Sequence, residues 1–283
     1  MWAWMNGEFI KADELRISPF DHGFLYGLGF FETFRTYEGE PFLLEDHIER
    51  LHKALDEFRI DLELDLEMLK AIILELNARS GGKDGYFRLN VSAGEHEIGL
   101  APSVYEKPTV ILFRKNLPSF IRGKEKSAVW LKTRRNSPEG QHRYKSHHYA
   151  NNVLARLELP SLAEQEGFFL TGEGHVAEGI TSNVFWVKDS VLYTPALETG
   201  ILAGITRNWV IKTAGSLGIN VEEGLFTPGK LEEADEVFVT NAIQELVPVH
   251  QLGTNRFDGK NGLIYMKLHD HYKGHVEQTS KER

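Results

Sequence analysis

The chain has 283 residues, 41% hydrophobic and 26% charged, an ordinary globular composition that excludes disordered, collagen-like and coiled-coil readings; at roughly 150 residues per domain, the length favours two modest domains. Its 32 Lys and Arg against 41 Asp and Glu leave a formal charge of −9, which opposes electrostatic affinity for phosphate backbones or anionic lipid, so neither nucleic acid nor membrane is an expected partner. There is no cysteine, so disulfides, thiolate nucleophiles, iron–sulfur clusters and Cys-ligated zinc fall away together, and a reducing cytoplasm suits the chain.

The N-terminus, MWAWMNGEF, carries an acid by position 8 and no apolar run long enough for a signal peptide or a membrane span, so no export is expected. The glycines of GFLYGLG (23–29) are spaced G-x-x-x-G-x-G, not as the dinucleotide G-x-G-x-x-G, and predict a turn leading into the strand FFETFRTY. In EDHIERLHKALDEF (45–58), Ile48, Leu51, Leu55 and Phe58 fall at helical spacing behind leading acids, and LEMLKAIILEL (66–76) predicts a second helix. SGGKDG breaks that pattern, and GYFRLNVSAG and PTVILFRK follow as strands. The polar stretch KNLPSFIRGKEKS (115–127), with Pro118, is the best linker; the predicted division is a small domain at 1–117, a linker at 118–126 and a larger domain at 127–283.

The second half alternates strand-like runs (AVWLKTRR, GFFLTG, SNVFWVKD, SVLYTP, EVFVTN) with helical ones (HYANNVLARLEL, ITRNWVIKTAGSLG), so the fold class is α/β or α+β in layers. The closing HYKGHVEQTSKER reads as a solvated, frayed end, and the H-x-H-x-x-x-H of His269, His271 and His275 within that region as solvated histidines, with no metal expected. No phosphate loop, G-x-S-x-G or H-E-x-x-H occurs.

Three separated segments carry the chemistry. Lys145 is either a surface charge or, set among Tyr144, His147, His148 and Tyr149, an amine whose surroundings suit a Schiff-base lysine. Glu178, just before Gly179 and a strand, is either a solvated loop acid or a carboxylate able to keep a pyridine nitrogen protonated. Gly204-Ile205-Thr206 opens a helix, where Thr206 is either a cap or part of a phosphate site made from free N–H groups and a hydroxyl, and Thr240 with Asn241 at a strand end adds a further hydroxyl.

Taken together, SPFDHGFLYGLGFFETFR, EDHIERL, KSHHYANNVLA, EGITSNVFW, GILAGITR and VFVTNAIQELVPV resemble, in order and across nearly the whole chain, motifs of the fold-type IV pyridoxal 5'-phosphate enzymes. That family holds branched-chain and D-amino-acid aminotransferases and aminodeoxychorismate lyases, and the resemblance implies a two-domain α/β fold, a homodimer and an active site at an interdomain cleft. It further implies that Lys145 holds the cofactor covalently and moves protons, and that Glu178 pairs with the ring nitrogen. Arg50 would reach the phosphate with Ile205, Thr206 and Thr240, while Ser182, Asn183 and Gly204 complete the cofactor residues. Leu202 would pack on a ring face, and Tyr149 would lie near the ring oxygen, though it stands one residue closer to the lysine than in some aminotransferases. Without the resemblance, Arg50 reads as a partner of Asp46 or Glu49.

Within the family the substrate pocket separates the reactions. The Arg-x-His pair of D-amino-acid aminotransferases is missing, with His96-Glu97-Ile98 in the region after YFRLNVSAG, and Phe31 stands where those enzymes carry a tyrosine. Branched-chain enzymes resemble Tyr86-Phe87-Arg88 but usually continue with proline where Leu89 stands. SPFDHGFLYGLGFFETFR, RLNVSAGE, RRNSPEG and KSHHYANN together most resemble aminodeoxychorismate lyases, which convert 4-amino-4-deoxychorismate to 4-aminobenzoate and pyruvate in folate synthesis. That resemblance makes Phe31, Arg35 and Arg88 the candidate substrate residues, the arginines as receivers of carboxylates. An aminotransferase on the same fold and a non-catalytic protein retaining the scaffold are the rival readings.

Overall fold

The computed structural model describes residues 1–100, 104–117 and 122–279, so the expected linker at 118–126 lies partly outside the described residues. The chain divides into two compact units: the first takes the described residues within 1–119, 145–148 and 276–283, the second those within 120–144 and 149–275.

The first unit is built on a six-stranded sheet. Its strands are β1 (Trp2–Met5), β2 (Glu8–Lys11), β3 (Gly29–Tyr37), β4 (Glu40–Pro41), β5 (Tyr86–Ser92) and β6 (Thr109–Lys115), in the spatial order β2-β1-β6-β5-β3-β4. The short helix α1 (His22–Leu25) and Gly27, whose φ of 68° suits glycine, make the turn that GFLYGLG predicts ahead of β3. Alternation along β3 sends Phe30, Glu32 and Phe34 to one face, where α2 (Leu44–Glu57) packs; Phe34 lies 5.7 Å from His47 and stacks at 5.7 Å on Phe87 of β5. Helix α3 (Leu66–Arg79) is started by Asp65, whose side chain accepts from Met68 N at 2.6 Å, and it buries Leu69, Ile73 and Leu76.

The opposite face of this sheet carries Phe31, Thr33 and Arg35, opposite Asn90, Arg88 and Tyr86 of β5. Because β4 pairs only with Thr36 and Tyr37, the beginning of β3 is open at its edge, and residues 145–147 take that place. Phe31 N donates to Lys145 O at 2.8 Å, His147 N donates to Gly29 O at 2.9 Å, and Phe30 bridges Ser146 in antiparallel register. Lys145 and His147 therefore share the Phe31 face. This approach requires glycine at position 29, where a Cβ would lie 2.5 Å from the His147 ring.

The second unit holds a larger sheet of β7 (Lys126–Trp130), β8 (Gln165–Leu170), β9 (Val176–Gly179), β10 (Asn183–Lys188), β11 (Val191–Pro195), β12 (Val221–Gly224), β13 (Glu236–Asn241) and β14 (Glu245–Leu252), with β15 (Asn255–Arg256) paired to β14. The order is β12-β11-β10-β13-β14-β7-β8-β9, antiparallel except where β7 joins β8 and β14 and where β11 joins β12. Its core combines Phe168, Val184, Trp186, Val237, Val239 and Val249, with a second cluster of Leu131, Phe169, Ala177, Ile180 and Ile201 beneath α4 (Ala150–Leu157). Helices α5 (Ile205–Ser216) and α6 (Pro228–Glu232) complete its α content before the C-terminal α7 (Leu263–Thr279).

Helix α7 corrects the expectation of a frayed end. Tyr272 is 1% exposed, and His275 accepts from Trp209 Nε1 at 2.8 Å, because aromatic residues at helical spacing within HYKGHVEQT give that segment a face to bury. Among the described residues no group of three or more His, Cys, Asp or Glu is placed to hold a metal, and no helix is long and apolar enough to cross a membrane.

Candidate active site

In the first unit the Phe31 face gathers three of the expected residues. The Lys145 amine lies 4.6 Å from the Phe31 ring centroid and the Arg88 guanidinium 3.6 Å, an aromatic face being a favourable neighbour for cations. Arg88 is steadied by its Nε, which donates to Asn90 Oδ1 at 3.0 Å. Arg35 is on the same face, nearer the end of β3 and 4.3 Å over the Tyr37 ring. His147 stacks on Phe31 at 6.2 Å and has a buried Nε2 with no hydrogen-bond partner among the described residues. Burial, reinforced by the Arg88 charge, pushes its pKa down to about 4, so the ring is neutral at physiological pH. A cavity of about 400 Å³ adjoins it, lined by Ile17, Phe24, Asn90, Ser92, Ile111 and His147 among others.

Arg50 belongs to a network on the other face. Its Nε and Nη2 donate to the two oxygens of Glu32 at 2.8 and 2.6 Å, and His47 Nδ1 donates to Glu32 Oε2 at 2.7 Å. Beyond its helical neighbours Asp46 and Glu49, Arg50 thus has an acid partner from β3, eighteen residues away in sequence. Burial alone would raise the Glu32 pKa, but the Arg50 charge and the His47 hydrogen bond more than reverse this and bring it to about 2. Burial in turn lowers the His47 pKa, so His47 donates as a neutral ring.

In the second unit, Glu178 is at the end of β9 and buried. Its Oε1 accepts from Arg135 Nε at 2.8 Å; its Oε2 accepts from Leu202 N at 3.0 Å and, at 3.5 Å, from Asn183 Nδ2. The solvated-acid reading of this residue is therefore set aside. Asn183 opens β10 opposite Thr240 near the end of β13, and also donates to Leu202 O at 2.9 Å. Gly204 is pressed against it, since a Cβ there would lie 2.0 Å from Asn183 Oδ1. Gly204 caps α5 without a side-chain bond, leaving the first N–H groups of Ile205 and Thr206 at the positive end of a twelve-residue helix. Close to these residues in the chain and sheet, Ser182 Oγ and Thr240 Oγ1 are buried without a hydrogen-bond partner among the described residues. Tyr149 forms the N-cap position of α4.

Each unit thus brings its own expected residues together: Lys145, Phe31 and Arg88 in one, with Arg35 further along the same face and Arg50 on helix α2 against the other face; and Glu178, Ser182, Asn183, Leu202, Gly204, Ile205, Thr206 and Thr240 in the other. Sequence reasoning missed Glu32, His47 and Arg135. The first two stand inside recognised motifs, and Arg135 inside RRNSPEG, but only contacts between distant segments reveal what they pair with.

Comparison with known proteins gives these arrangements a family. Residues 29–252 match the amino-transferase class IV family. The aminodeoxychorismate lyase of Bacillus subtilis is 42% identical over 284 residues, covering 99% of this chain and 96% of that protein. The branched-chain aminotransferase of Thermoproteus uzoniensis, solved with norvaline, superposes with a TM-score of 0.88 at 29% identity, covering 100% of this chain and 96% of that one. The T.th. branched-chain amino acid aminotransferase solved with pyridoxamine 5'-phosphate gives a TM-score of 0.85 at 29% identity, covering 99% of this chain and 95% of that one. A match over most of the sequence, joined to the shared fold, places the chain in the class IV aminotransferase family.

Proposed function

We propose that this protein is a pyridoxal 5'-phosphate-dependent lyase that converts 4-amino-4-deoxychorismate to 4-aminobenzoate and pyruvate. The cofactor assignment is carried by the donor set of the second unit: two buried hydroxyls without partners, Ser182 Oγ and Thr240 Oγ1, accompany the uncapped start of α5 and a buried carboxylate, chemistry that fits a phosphorylated pyridine. The choice of lyase is supported by the 42% identity to the B. subtilis enzyme along almost the full chain.

When bound, the cofactor supplies an electron sink for the substrate carbon that loses its proton. Lys145 Nζ would hold the cofactor aldehyde and, once the substrate's amino group has displaced it, would be the free amine that takes the ring C–H proton and, directly or through water, returns one to the departing three-carbon unit. Glu178 holds the ring nitrogen protonated. Thr206, Thr240, Ser182 and the first N–H groups of α5 bind the phosphate, together with Arg50, whose guanidinium Glu32 orients. Asn183 and Gly204 hold that pocket in shape, and Leu202 and Tyr149 would contact the cofactor. Phe31, Arg88 and Arg35 receive the substrate, the arginines taking its carboxylates. The substrate divides into its two products without a second oxo acid. The same proposal includes a cytoplasmic homodimer with domains at 1–117 and 127–283, and light scattering on the purified protein tests the dimer.

The deciding experiment is a coupled assay for pyruvate and 4-aminobenzoate, run with and without 2-oxoglutarate. Release of both products at an undiminished rate without the oxo acid is expected. Faster glutamate formation from a branched-chain or D-amino acid would establish an aminotransferase instead. A scaffold without catalysis is tested by borohydride reduction of the loaded protein, which should leave a pyridoxyl mass tag on the peptide containing Lys145.

A further inference from the structure

We propose that Arg135 is a positioning residue for Glu178, its guanidinium anchored on Asn151 and Asn152 so that the carboxylate is held in one orientation for the cofactor's ring nitrogen. The inference rests on the reading of Glu178 given above and adds a residue to it.

Arg135 is only 8% exposed and Glu178 5%, so each charge requires the other. Arg135 Nε donates to Glu178 Oε1 at 2.8 Å, while Nη1 donates to Asn151 Oδ1 at 2.8 Å, to Asn152 Oδ1 at 3.2 Å and to Asn136 Oδ1 at 3.3 Å. Those amides are themselves tied down. Asn152 Nδ2 donates to Ile180 O at 2.6 Å and Asn151 Nδ2 to Arg134 O at 2.9 Å. A planar guanidinium fixed at Nη1 and at Nε has no remaining freedom to turn, and it passes that constraint to Oε1. Leu202 N then fixes Oε2 from the other side. The Phe169 ring, 5.3 Å from the guanidinium carbon, packs against it.

A second cation separates orientation from charge. Arg143 acts electrostatically on both Arg135 and Glu178, yet its own hydrogen bonds go to the backbone oxygens of Gly200 and Asn136, not to the carboxylate. Removing Arg143 alters the field at Glu178; removing Arg135 alters the field and the geometry together.

The test measures dissociation constants of the full-length protein for pyridoxal 5'-phosphate and for its 1-deaza analogue, in which CH replaces the ring nitrogen. The wild type is expected to prefer the natural cofactor by about tenfold or more, the scale of one charge-assisted hydrogen bond. Glu178→Gln should abolish that preference. Arg135→Gln should reduce it to within about twofold of parity, Arg135→Lys should restore part of it, and the Arg135→Gln/Glu178→Gln pair should lose nothing further, as coupled residues do. Arg143→Gln should retain it. If Arg135→Gln weakens both cofactors equally and keeps the wild-type preference, Arg135 serves stability alone and the proposal fails; if Arg143→Gln loses the preference equally, charge and not orientation is responsible, and it also fails. A wild type or a Glu178→Gln variant that departs from its expected ratio overturns the reading of Glu178 itself. Should Arg135→Gln not fold, Asn151→Ala, which removes the shorter anchor, is scored by the same ratio.

Discussion

Glu32 and Glu178 are both buried glutamates clamped by arginine, one in each unit, and they use the same chemistry in opposite senses. Glu32 gives both oxygens to Arg50 and one of them also to His47, while Arg50 remains 13% exposed at its side chain. There the carboxylate is held by two side chains. Around Glu178 it is the arginine that is tied back, onto asparagines, while the carboxylate meets Leu202 N and Asn183. The same Glu–Arg contact is therefore embedded differently in the two units, and the proposed function gives the two contacts different work.

On the proposed function, loss of Lys145 has the largest effect. Lys145→Ala should lower turnover by about three orders of magnitude or more, since the covalent attachment and the proton-moving group vanish together. Product assays, with the borohydride mass tag absent from the 145 peptide, check this. Next, on the proposed function, Glu178→Gln should cost about a hundredfold in turnover per folded chain at saturating cofactor, because the isosteric amide loses the charge, and it should lower the unfolding midpoint too, since Arg135 is left buried beside a neutral amide.

Glu32→Gln should share the loss of stability and differ in turnover. Removing one member of a buried ion pair costs about 3 kcal/mol of stability, and chemical denaturation should show it, while turnover per folded, cofactor-loaded chain falls less than for Glu178→Gln. The sign of the pH dependence follows from a folded pKa of about 2 against an ordinary value of 4.5: the stabilisation is complete above pH 4.5 and is lost as pH falls towards 2. Denaturant midpoints at pH 5 and pH 3 should converge in Glu32→Gln relative to wild type. If the two glutamine variants lost turnover per folded, cofactor-loaded chain to the same extent, the distinction between the clamps would be wrong.

Much of this was legible beforehand, for reasons that differ by residue. Periodicity locates α2 and α3 because each buries one face, and β-rich runs bounded by glycine and proline locate β5 and β6. The motif strings located Lys145, Glu178 and the start of α5 because those residues stand beside glycines or a helix start that shape the local backbone. Glu32 was invisible because an acid within a strand of aromatic residues has no sequence-local partner; His47 and Arg50, on α2, meet it only once β3 is packed. The same holds for Arg135, 43 residues from Glu178. The association of Lys145–His148 with the first unit was also hidden, since it depends on an unpaired edge at the beginning of β3 and not on composition. His275 was read as solvated because the aromatic face of α7 is diluted by Lys273, Gly274 and Glu277.

The Arg50 side of the comparison predicts a moderate, phosphate-specific effect. Arg50→Gln should weaken pyridoxal 5'-phosphate binding by about tenfold, the value of a charge-assisted contact, and leave the affinity for unphosphorylated pyridoxal nearly unchanged. Titration with both compounds separates this from a general loss of the site, in which both affinities would fall together.

The smallest expected effect concerns His147, which supports the Phe31 face without belonging to either clamp. Its folded pKa, about 4, is below the ordinary 6.5, so the folded state disfavours the proton that the unfolded chain accepts first. Stability is therefore full above pH 6.5 and declines as pH falls towards 4. The partial exposure of the ring limits the loss to about 1–2 kcal/mol, since solvent screens part of the cost. His147→Phe keeps an aromatic ring against Phe31 and removes the titration, so its denaturant midpoint should fall less than that of wild type between pH 7.5 and pH 5. An unchanged slope would mean that the imidazole is hydrated in solution, and that the Phe31 face is open to water beside Lys145.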